Sequence, residues 1–263
     1  MNMTISGTRT ELGRIVAQKR VSVATENLYI DVVGQQANTL LHDGHAWKDF
    51  TRTALAGTRR AIRMARDGGA PMLVHASFAF VHAVERGAKL EGPLRSCVEA
   101  ILECEALALA GPVPACVVRL GYLYGPASAD LLAYRKAFRL GRPYWAGSRR
   151  ALQYHLHQFD AASALLAAAR PGNAGRILYA TDGHPVSFMQ FMDAFARNVG
   201  RPTPLHLPPF SKLLAKVIIT EEHMQQTTLP MPADVPPPRV PRWTPKFPGY
   251  RDGFDDVIAA WGD

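Results

Sequence analysis

The sequence is poor in cysteine and contains no long apolar run. Its three cysteines, Cys97, Cys104 and Cys116, are an odd number without paired C-x-x-C spacing, so neither a disulfide framework nor a zinc site is predicted. No run approaches about 18 uncharged apolar residues, and the first residues lack the apolar stretch of a signal peptide. We therefore expect a soluble protein of the reducing cytoplasm with no membrane-spanning segment.

A concentrated basic patch is also absent, although the formal net charge is +8. The densest basic group is Arg59, Arg60, Arg63 and Arg66, and its spacing is typical of the solvated face of an amphipathic helix. No aromatic residues are interleaved with basic ones, as they are in single-strand binding grooves. The sequence therefore does not favour nucleic acid as a partner.

Strand and helix patterns alternate over residues 1–200, which predicts an α/β fold with a mostly parallel sheet. Strands are predicted at 28–34, 71–77, 115–120, 152–157 and 176–180, and helices at 10–19, 47–67, 94–110, 128–140, 159–170, 187–199 and 252–261. Twelve of the twenty prolines lie between Pro202 and Pro248, where they interrupt this alternation. We predict a Rossmann-like domain over 1–200 and a proline-rich C-terminal lobe over 201–263 that packs on it.

Several segments carry family-like motifs in a consistent order. The stretch VVRLGYLYGP is similar to the strand and turn v-L-R-P-x-x-V-Y-G-P, and YHLHQFDAASALLAA is similar to f-I-H-V-D-D-x-A-x-A, matched at His157 and Asp160. The chain thereby resembles the extended short-chain dehydrogenase/reductase superfamily, in its NAD-dependent epimerase/dehydratase group. The resemblance implies a Rossmann-like sheet and an NAD(P)-dependent ancestor.

The glycine-rich turn of that family is missing. No G-x-x-G-x-x-G segment occurs in the chain, although such a turn brings the backbone close to the dinucleotide pyrophosphate. The opening ISGTRTELGRIV resembles the family's third strand and following helix, with Thr8 in place of an aspartate. We therefore expect a sheet that lacks its first β-α units, and no bound cofactor.

The proton-transfer residues of the family are missing as well. The resemblance places the family's serine at Phe78, its tyrosine at Cys97 and its lysine at Ile101. No shift of the alignment restores them, since residues 91–110 contain neither tyrosine nor lysine. We predict no catalytic residue of the family type and no metal ligand, because the pair His155 and His157 belongs to a scaffold segment.

Other polar residues are interpreted more simply. Cys97 and Cys104 are predicted to be core residues, and His75 and His82 to be structural histidines with satisfied hydrogen bonds. A remaining substrate cleft would be lined by residues near the carboxyl ends of strands. The candidates are Ser77, Tyr122, Tyr154 and His157.

Three functions follow as hypotheses. The first is a non-catalytic structural or regulatory subunit that acts through protein contacts. The alternative is an NAD(P)-dependent epimerase, dehydratase or reductase whose nucleotide-binding segment is supplied elsewhere. The third is a lyase or isomerase that uses the old cleft without a cofactor. Because a shortened parallel sheet exposes an edge, we expect a second copy or another protein to cover it.

Overall fold

The computed structural model describes residues 4–6, 10–19, 29–32, 44–207, 224–225, 227–229 and 239–262. Within them, a parallel sheet has the strand order β1-β2-β3-β4-β9. Its strands are Thr4–Ser6 (β1), Tyr29–Asp31 (β2), Leu73–Phe78 (β3), Ala115–Leu120 (β4) and Ile177–Ala180 (β9). The predicted α/β class with a mostly parallel sheet is confirmed.

Helices cover both faces of this sheet. They are Glu11–Lys19 (α1), Gly44–Asp67 (α2), Val81–Glu85 (α3), Gly92–Leu109 (α4), Ala129–Arg139 (α5), Gln158–Ala168 (α6), Phe188–Asn198 (α7) and Tyr250–Trp261 (α8). On one face α1 and α6 bury the side chains of alternate strand residues such as Val74, Val118 and Leu178. On the other face α2 and α4 pack on each other and on the sheet. This layering leaves the strand ends as the accessible edge of the sheet.

Short strands extend the fold beyond the main sheet. They are Tyr122–Tyr124 (β5), Tyr144–Trp145 (β6), Leu152–Gln153 (β7), His155–His157 (β8), Val186–Ser187 (β10) and His206–Leu207 (β11). They pair as β5 with β8, β10 with β7, and β11 with β6. The first of these pairs lies directly after the carboxyl end of β4, since only Gly121 separates β4 from β5.

Local sequence explains where several helices begin and end. Ser187 and Gln190 form a capping box at the start of α7, and the His157 side chain caps α6. Pro93 stands in the first turn of α4, where its missing N–H has no cost. Gly262 adopts a left-handed conformation after α8. The predicted helices over 128–140, 159–170 and 187–199 agree with α5, α6 and α7 to within two residues.

The C-terminal helix α8 packs on α7 and joins its apolar core. Phe254 contacts Phe191 and Phe195, with ring centroids 4.9 and 5.4 Å apart. The aromatic residues of α7 belong to this core, since Phe188, Phe191 and Phe195 are at most 2% exposed. None of the described helices has the length and apolarity needed to cross a membrane.

The position of β1 corrects the sequence interpretation of the opening segment. In the dinucleotide-binding fold the strand order is 3-2-1-4-5-6, so the first strand lies beside the fourth. Here β1 pairs in parallel with β2, and the spacing of Gly7, Thr10 and Gly13 matches the family's three glycines with threonine at the second. Strand β1 and helix α1 therefore take the place of the first strand and helix of that order, rather than that of the third strand and its helix.

The strands by which this sheet is shorter than that of the family would therefore lie between α1 and β2. Residues 20–28 are all that separates α1 from β2. A strand, a helix and a return strand need about 30 residues or more, so the family's second and third strands cannot fit there. Thr8, which was compared with an aspartate of the third strand, lies outside the described residues.

Candidate functional site

The carboxyl ends of β3, β4 and β9 hold a layer of polar side chains. Ser77 pairs with Arg119 across the sheet, and Arg119 pairs with Tyr179, so the three side chains lie side by side on one face. Ligands of open α/β sheets bind outside the carboxyl ends of the strands. We therefore treat this edge as the candidate functional site.

Arg119 is the centre of the layer and is only 1% exposed. Its Nε donates to Glu105 Oε1 at 2.9 Å and its Nη2 to Glu105 Oε2 at 2.6 Å. Both Nη atoms also donate to the Glu85 carboxylate, and Nη1 donates to the Tyr179 hydroxyl at 2.8 Å. A guanidinium has five N–H groups, and all five are used. Arg119 is therefore a structural clamp with no donor left for a substrate.

The two carboxylates around Arg119 differ in access to water. Glu105 is 3% exposed and also accepts a hydrogen bond from Ser77 Oγ, whereas the Glu85 side chain is 39% exposed. Hydrogen bonding from Arg119 lowers the pKa of Glu85. The clamp carries one positive and two negative charges, so its net charge at neutral pH is negative.

His82 joins this layer through Tyr179. His82 Nδ1 lies 3.1 Å from the Tyr179 hydroxyl and 3.5 Å from Glu85 Oε2, and the His82 and Tyr179 rings meet edge to face. His82 Nε2 is buried and has no hydrogen-bond partner among the described residues. The prediction that His82 is a satisfied structural histidine is thus wrong. His75 does pair with Asp31, at 3.1 Å, as a structural histidine would.

Buried apolar side chains stand at the three positions where the resemblance places the family's serine, tyrosine and lysine. Phe78 is 2%, Cys97 0% and Ile101 2% exposed, and all three belong to one hydrophobic cluster. The Phe78 ring meets Phe50 edge to face at 6.1 Å and lies 5.5 Å from Phe80. Burial raises the pKa of the Cys97 thiol, which keeps it protonated and unreactive.

The four residues proposed to line a cleft are all buried. Ser77 is 1%, Tyr122 7%, Tyr154 6% and His157 3% exposed, and their role in lining a substrate cleft stays a prediction. Only Ser77 belongs to the clamp, and Tyr154 packs beside Tyr179. Each of the other two has a packing role.

Tyr122 and His157 lie on the paired strands β5 and β8, where packing explains their burial. Tyr122 stacks on Phe80 at 6.1 Å, and His157 Nδ1 accepts from the Phe159 backbone N–H at the start of α6. Burial lowers the pKa of His157 to about 4. The described residues contain no group of three or more metal-ligating side chains.

Two members of the layer were missed by sequence reasoning. Tyr179 and Glu85 belong to no motif, and nothing in their spacing relates them to Arg119. The strand register alone brings Tyr179 beside Arg119, and the short helix α3 brings Glu85 over it. A buried arginine in a strand was the one available signal, because such a residue requires carboxylate partners.

A nucleotide would bind at the first strand, turn and helix. Gly13 is buried in the first turn of α1, as the third glycine of the fingerprint must be for close helix–strand packing. Its backbone N–H donates to Thr10 Oγ1 at 2.9 Å, so a side chain occupies the place of the second glycine. The third glycine place therefore fits a pyrophosphate and the second carries the Thr10 side chain, while Gly7 lies outside the described residues.

Comparisons with known proteins found a curated relative and solved structures of similar fold. No sequence model of a known protein family matches it. A curated relative from Streptomyces, a 3-diazoavenalumate denitrifying reductase, is 28% identical over 222 residues, which is 80% of this chain and 72% of the relative.

Solved structures agree on the fold. The enzyme RMD from Pseudomonas aeruginosa, complexed with NADPH, is 14% identical with a TM-score of 0.70 over 100% of both chains. The human epimerase family protein SDR39U1, also with NADPH, is 14% identical with a TM-score of 0.72 over 98% of this chain and 99% of that one. At 14% identity these two matches show a shared fold and nothing further.

Proposed function

Since the chain has the Rossmann-like fold of the extended short-chain dehydrogenase/reductase superfamily, we propose that it is an NAD(P)H-dependent reductase whose reaction needs no enzymatic proton donor. The observation that carries the proposal is the apolar filling at Phe78, Cys97 and Ile101. The substrate class we propose is an aryl diazo compound, as in the name of the Streptomyces relative.

The chemistry separates this reaction from carbonyl reduction. Bound NAD(P)H supplies a hydride. A carbonyl that receives a hydride becomes an alkoxide and needs a proton, which the family's tyrosine and lysine provide. Replacement of a diazonium group is balanced without a proton: the C–N bond breaks, its electron pair leaves with N2, and hydride forms the new C–H bond. A site that lacks the proton-donating tyrosine and lysine can therefore support the replacement of a diazonium group but not the reduction of a carbonyl.

The residues of this chain suit a diazonium substrate in two further ways. Water competes with hydride for an aryl diazonium ion, and the side chains of Phe78, Cys97 and Ile101 exclude water from their surroundings. The rings of Phe50, Phe78 and Phe80 are grouped at the same strand end, where aromatic faces stabilise a cation. The β1–α1 unit would hold the pyrophosphate of the nucleotide through the first turn of α1.

A labelling experiment tests the proposal. Purified protein is incubated with para-acetylbenzenediazonium and NADPH that is deuterated at its transferable position, and the product is analysed by mass spectrometry. We expect acetophenone with a single deuterium on the ring, formed faster than with heat-denatured protein. A rate equal to that of denatured protein, with NADPH and with NADH, would refute the proposal.

A second candidate function is a non-catalytic subunit. The saturation of Arg119 and the burial of Ser77 and Tyr154 favour it, because they leave few polar groups for a substrate. In this case a second copy or another protein would cover the outer side of β1. Calorimetry with NADPH and light scattering on the purified protein separate the two: this candidate requires absent nucleotide binding and a particle larger than one chain.

A further inference from the structure

The hydrogen bonds around Tyr179 determine which nitrogen of His82 carries a proton. Arg119 Nη1 lies 2.8 Å from the Tyr179 oxygen and can only donate, because a guanidinium has no acceptor. The Tyr179 oxygen therefore accepts from Arg119, and its own hydrogen is free to point elsewhere. The neighbouring acceptor is His82 Nδ1 at 3.1 Å. Two oxygens face Nδ1, and the Tyr179 hydroxyl at 3.1 Å is closer than Glu85 Oε2 at 3.5 Å, so Tyr179 is assigned as the donor to Nδ1 and the imidazole proton to Nε2.

That proton has no partner among the described residues. His82 Nε2 has almost no solvent contact, although the side chain as a whole is 16% exposed. A buried donor without an acceptor costs about 1–3 kcal/mol. Native proteins rarely retain such a cost without a ligand or a functional reason. The unpaired N–H lies in the first turn of α3, just beyond the carboxyl end of β3, at the edge of the sheet where ligands of this fold bind.

The charges nearby select the kind of acceptor. Glu85 and Glu105 outnumber Arg119, so the network beside His82 is negative overall. A carboxylate or phosphate oxygen would be repelled there, whereas a neutral carbonyl oxygen would not. Phe80 precedes His82 by two residues and stacks on Tyr122, and these aromatic rings suit an aryl ketone or a related aryl carbonyl compound.

We propose that His82 Nε2–H is a ligand-binding group that donates a hydrogen bond to a neutral carbonyl oxygen of the substrate, with Tyr179 as the positioning residue that fixes the tautomer. The inference rests on the proposed reductase for the identity of the ligand as its substrate, since hydrogen-bonded orientation would place the reacting carbon. The tautomer itself depends on the contacts of Tyr179, Arg119 and Glu85 and not on the identity of the ligand.

The first test measures the tautomer directly. Nitrogen-15 NMR of histidine-labelled full-length protein reports whether Nδ1 or Nε2 carries the proton, and His82→Gln identifies the resonances. We expect the Nε2–H form for His82 and, in Tyr179→Phe, an increase of the Nδ1–H form facing Glu85. A neutral ring with its proton on Nδ1 in the unaltered protein would overturn the inference.

The second test measures ligand binding. Acetophenone carries the carbonyl, and ethylbenzene is the matched probe without it. We expect acetophenone to shift the His82 Nε2 resonance, and its dissociation constant to rise about tenfold in His82→Phe, which corresponds to the loss of a hydrogen bond. His82→Gln keeps an N–H near the position of Nε2 and should stay within about threefold. Ethylbenzene should bind equally to all three proteins.

The outcomes separate this inference from the proposed function. Binding of acetophenone at His82 without diazonium reduction would refute the reductase and keep the ligand site. Diazonium reduction in which His82→Phe leaves the KM of the para-acetyl substrate unchanged would refute the ligand site and keep the reductase. Failure of acetophenone to bind or to shift Nε2 would also refute it. If His82→Phe does not fold, His82→Gln and Tyr179→Phe provide the same comparison.

Discussion

Around Phe78, Cys97 and Ile101 the carboxyl edge of the sheet is apolar, whereas beside it Arg119 binds two carboxylates and a tyrosine in the same layer. Both regions exclude water, but they are stabilised differently. The apolar region depends on packing volume, and the charged one on complete hydrogen bonding. The comparison teaches that a buried guanidinium requires acceptors for all of its N–H groups, whereas Phe78, Cys97 and Ile101 require only close packing.

The largest effect is expected from returning the family's lysine to the apolar region. Ile101→Lys places an ammonium group at a position that is 2% exposed and among apolar side chains. We expect the free energy of unfolding to fall by about 4–5 kcal/mol or more, measured by urea denaturation. Ile101→Leu is the control and should cost less than about 1.5 kcal/mol. A stable Ile101→Lys protein would show that this region is an open polar site.

Substitution of Arg119 tests the charged region, because its two carboxylates share this guanidinium. Arg119→Met keeps much of the side-chain volume but leaves Glu105 buried without a cation, so we expect a loss of about 3–5 kcal/mol in the free energy of unfolding. Arg95→Ala removes an exposed pair with Glu99, whose side chains are 68% and 62% exposed, and should cost no more than about 0.5 kcal/mol. Equal effects of the two substitutions would contradict the distinction between clamp and surface pair.

A third carboxylate at this edge, that of Asp182, sharpens the comparison because it forms no ion pair with an arginine among the described residues. Asp182 follows β9, is 4% exposed, and its Oδ2 has no hydrogen-bond partner among the described residues. Burial raises its pKa from 3.8 to about 7, whereas Arg119 lowers the pKa of Glu85. Since a raised pKa means that the folded state holds the proton more tightly, Asp182 stabilises the fold below about pH 4 and loses this contribution as the pH rises through 7.

Asp182→Asn tests this pH dependence. At pH 8 we expect the variant to be more stable than the unaltered protein by up to a few kcal/mol, and at pH 3.5, below the ordinary pKa of the carboxyl, the two should differ little. Thermal unfolding at both pH values measures the difference. A variant that is less stable at pH 8 would mean that the Asp182 carboxylate is paired after all.

The smallest effect concerns thiol chemistry in the apolar region. Burial raises the pKa of Cys104 to about 11, of Cys116 to about 12, and that of Cys97 further. We expect none of the three to react with a disulfide reagent in the native protein at pH 8, and all three to react in urea. Rapid native labelling of Cys97 would show an opening of the apolar region that the packing does not suggest.

Sequence periodicity was sufficient for the layers but not for the topology of the first unit. The alternation of apolar runs and amphipathic stretches predicts β3, α4 and β4 within a few residues, since each pattern reflects local burial. It cannot tell whether Thr4–Ser6 is a first or a third strand, because that depends on which neighbour it pairs with. Pairing with β2 involves residues 25 positions away, and no local signal encodes it.

The sequence by itself determined the fold class and that Cys97 and Ile101 stand where the resemblance places a tyrosine and a lysine. Only the tertiary structure decided that Glu85 and Glu105 pair with Arg119 and which nitrogen of His82 holds the proton. The reason is physical: a propensity or a motif is a property of neighbours along the chain. A buried hydrogen bond depends on strand register and helix packing, which bring Glu85, Glu105 and Tyr179 to one guanidinium from three different elements.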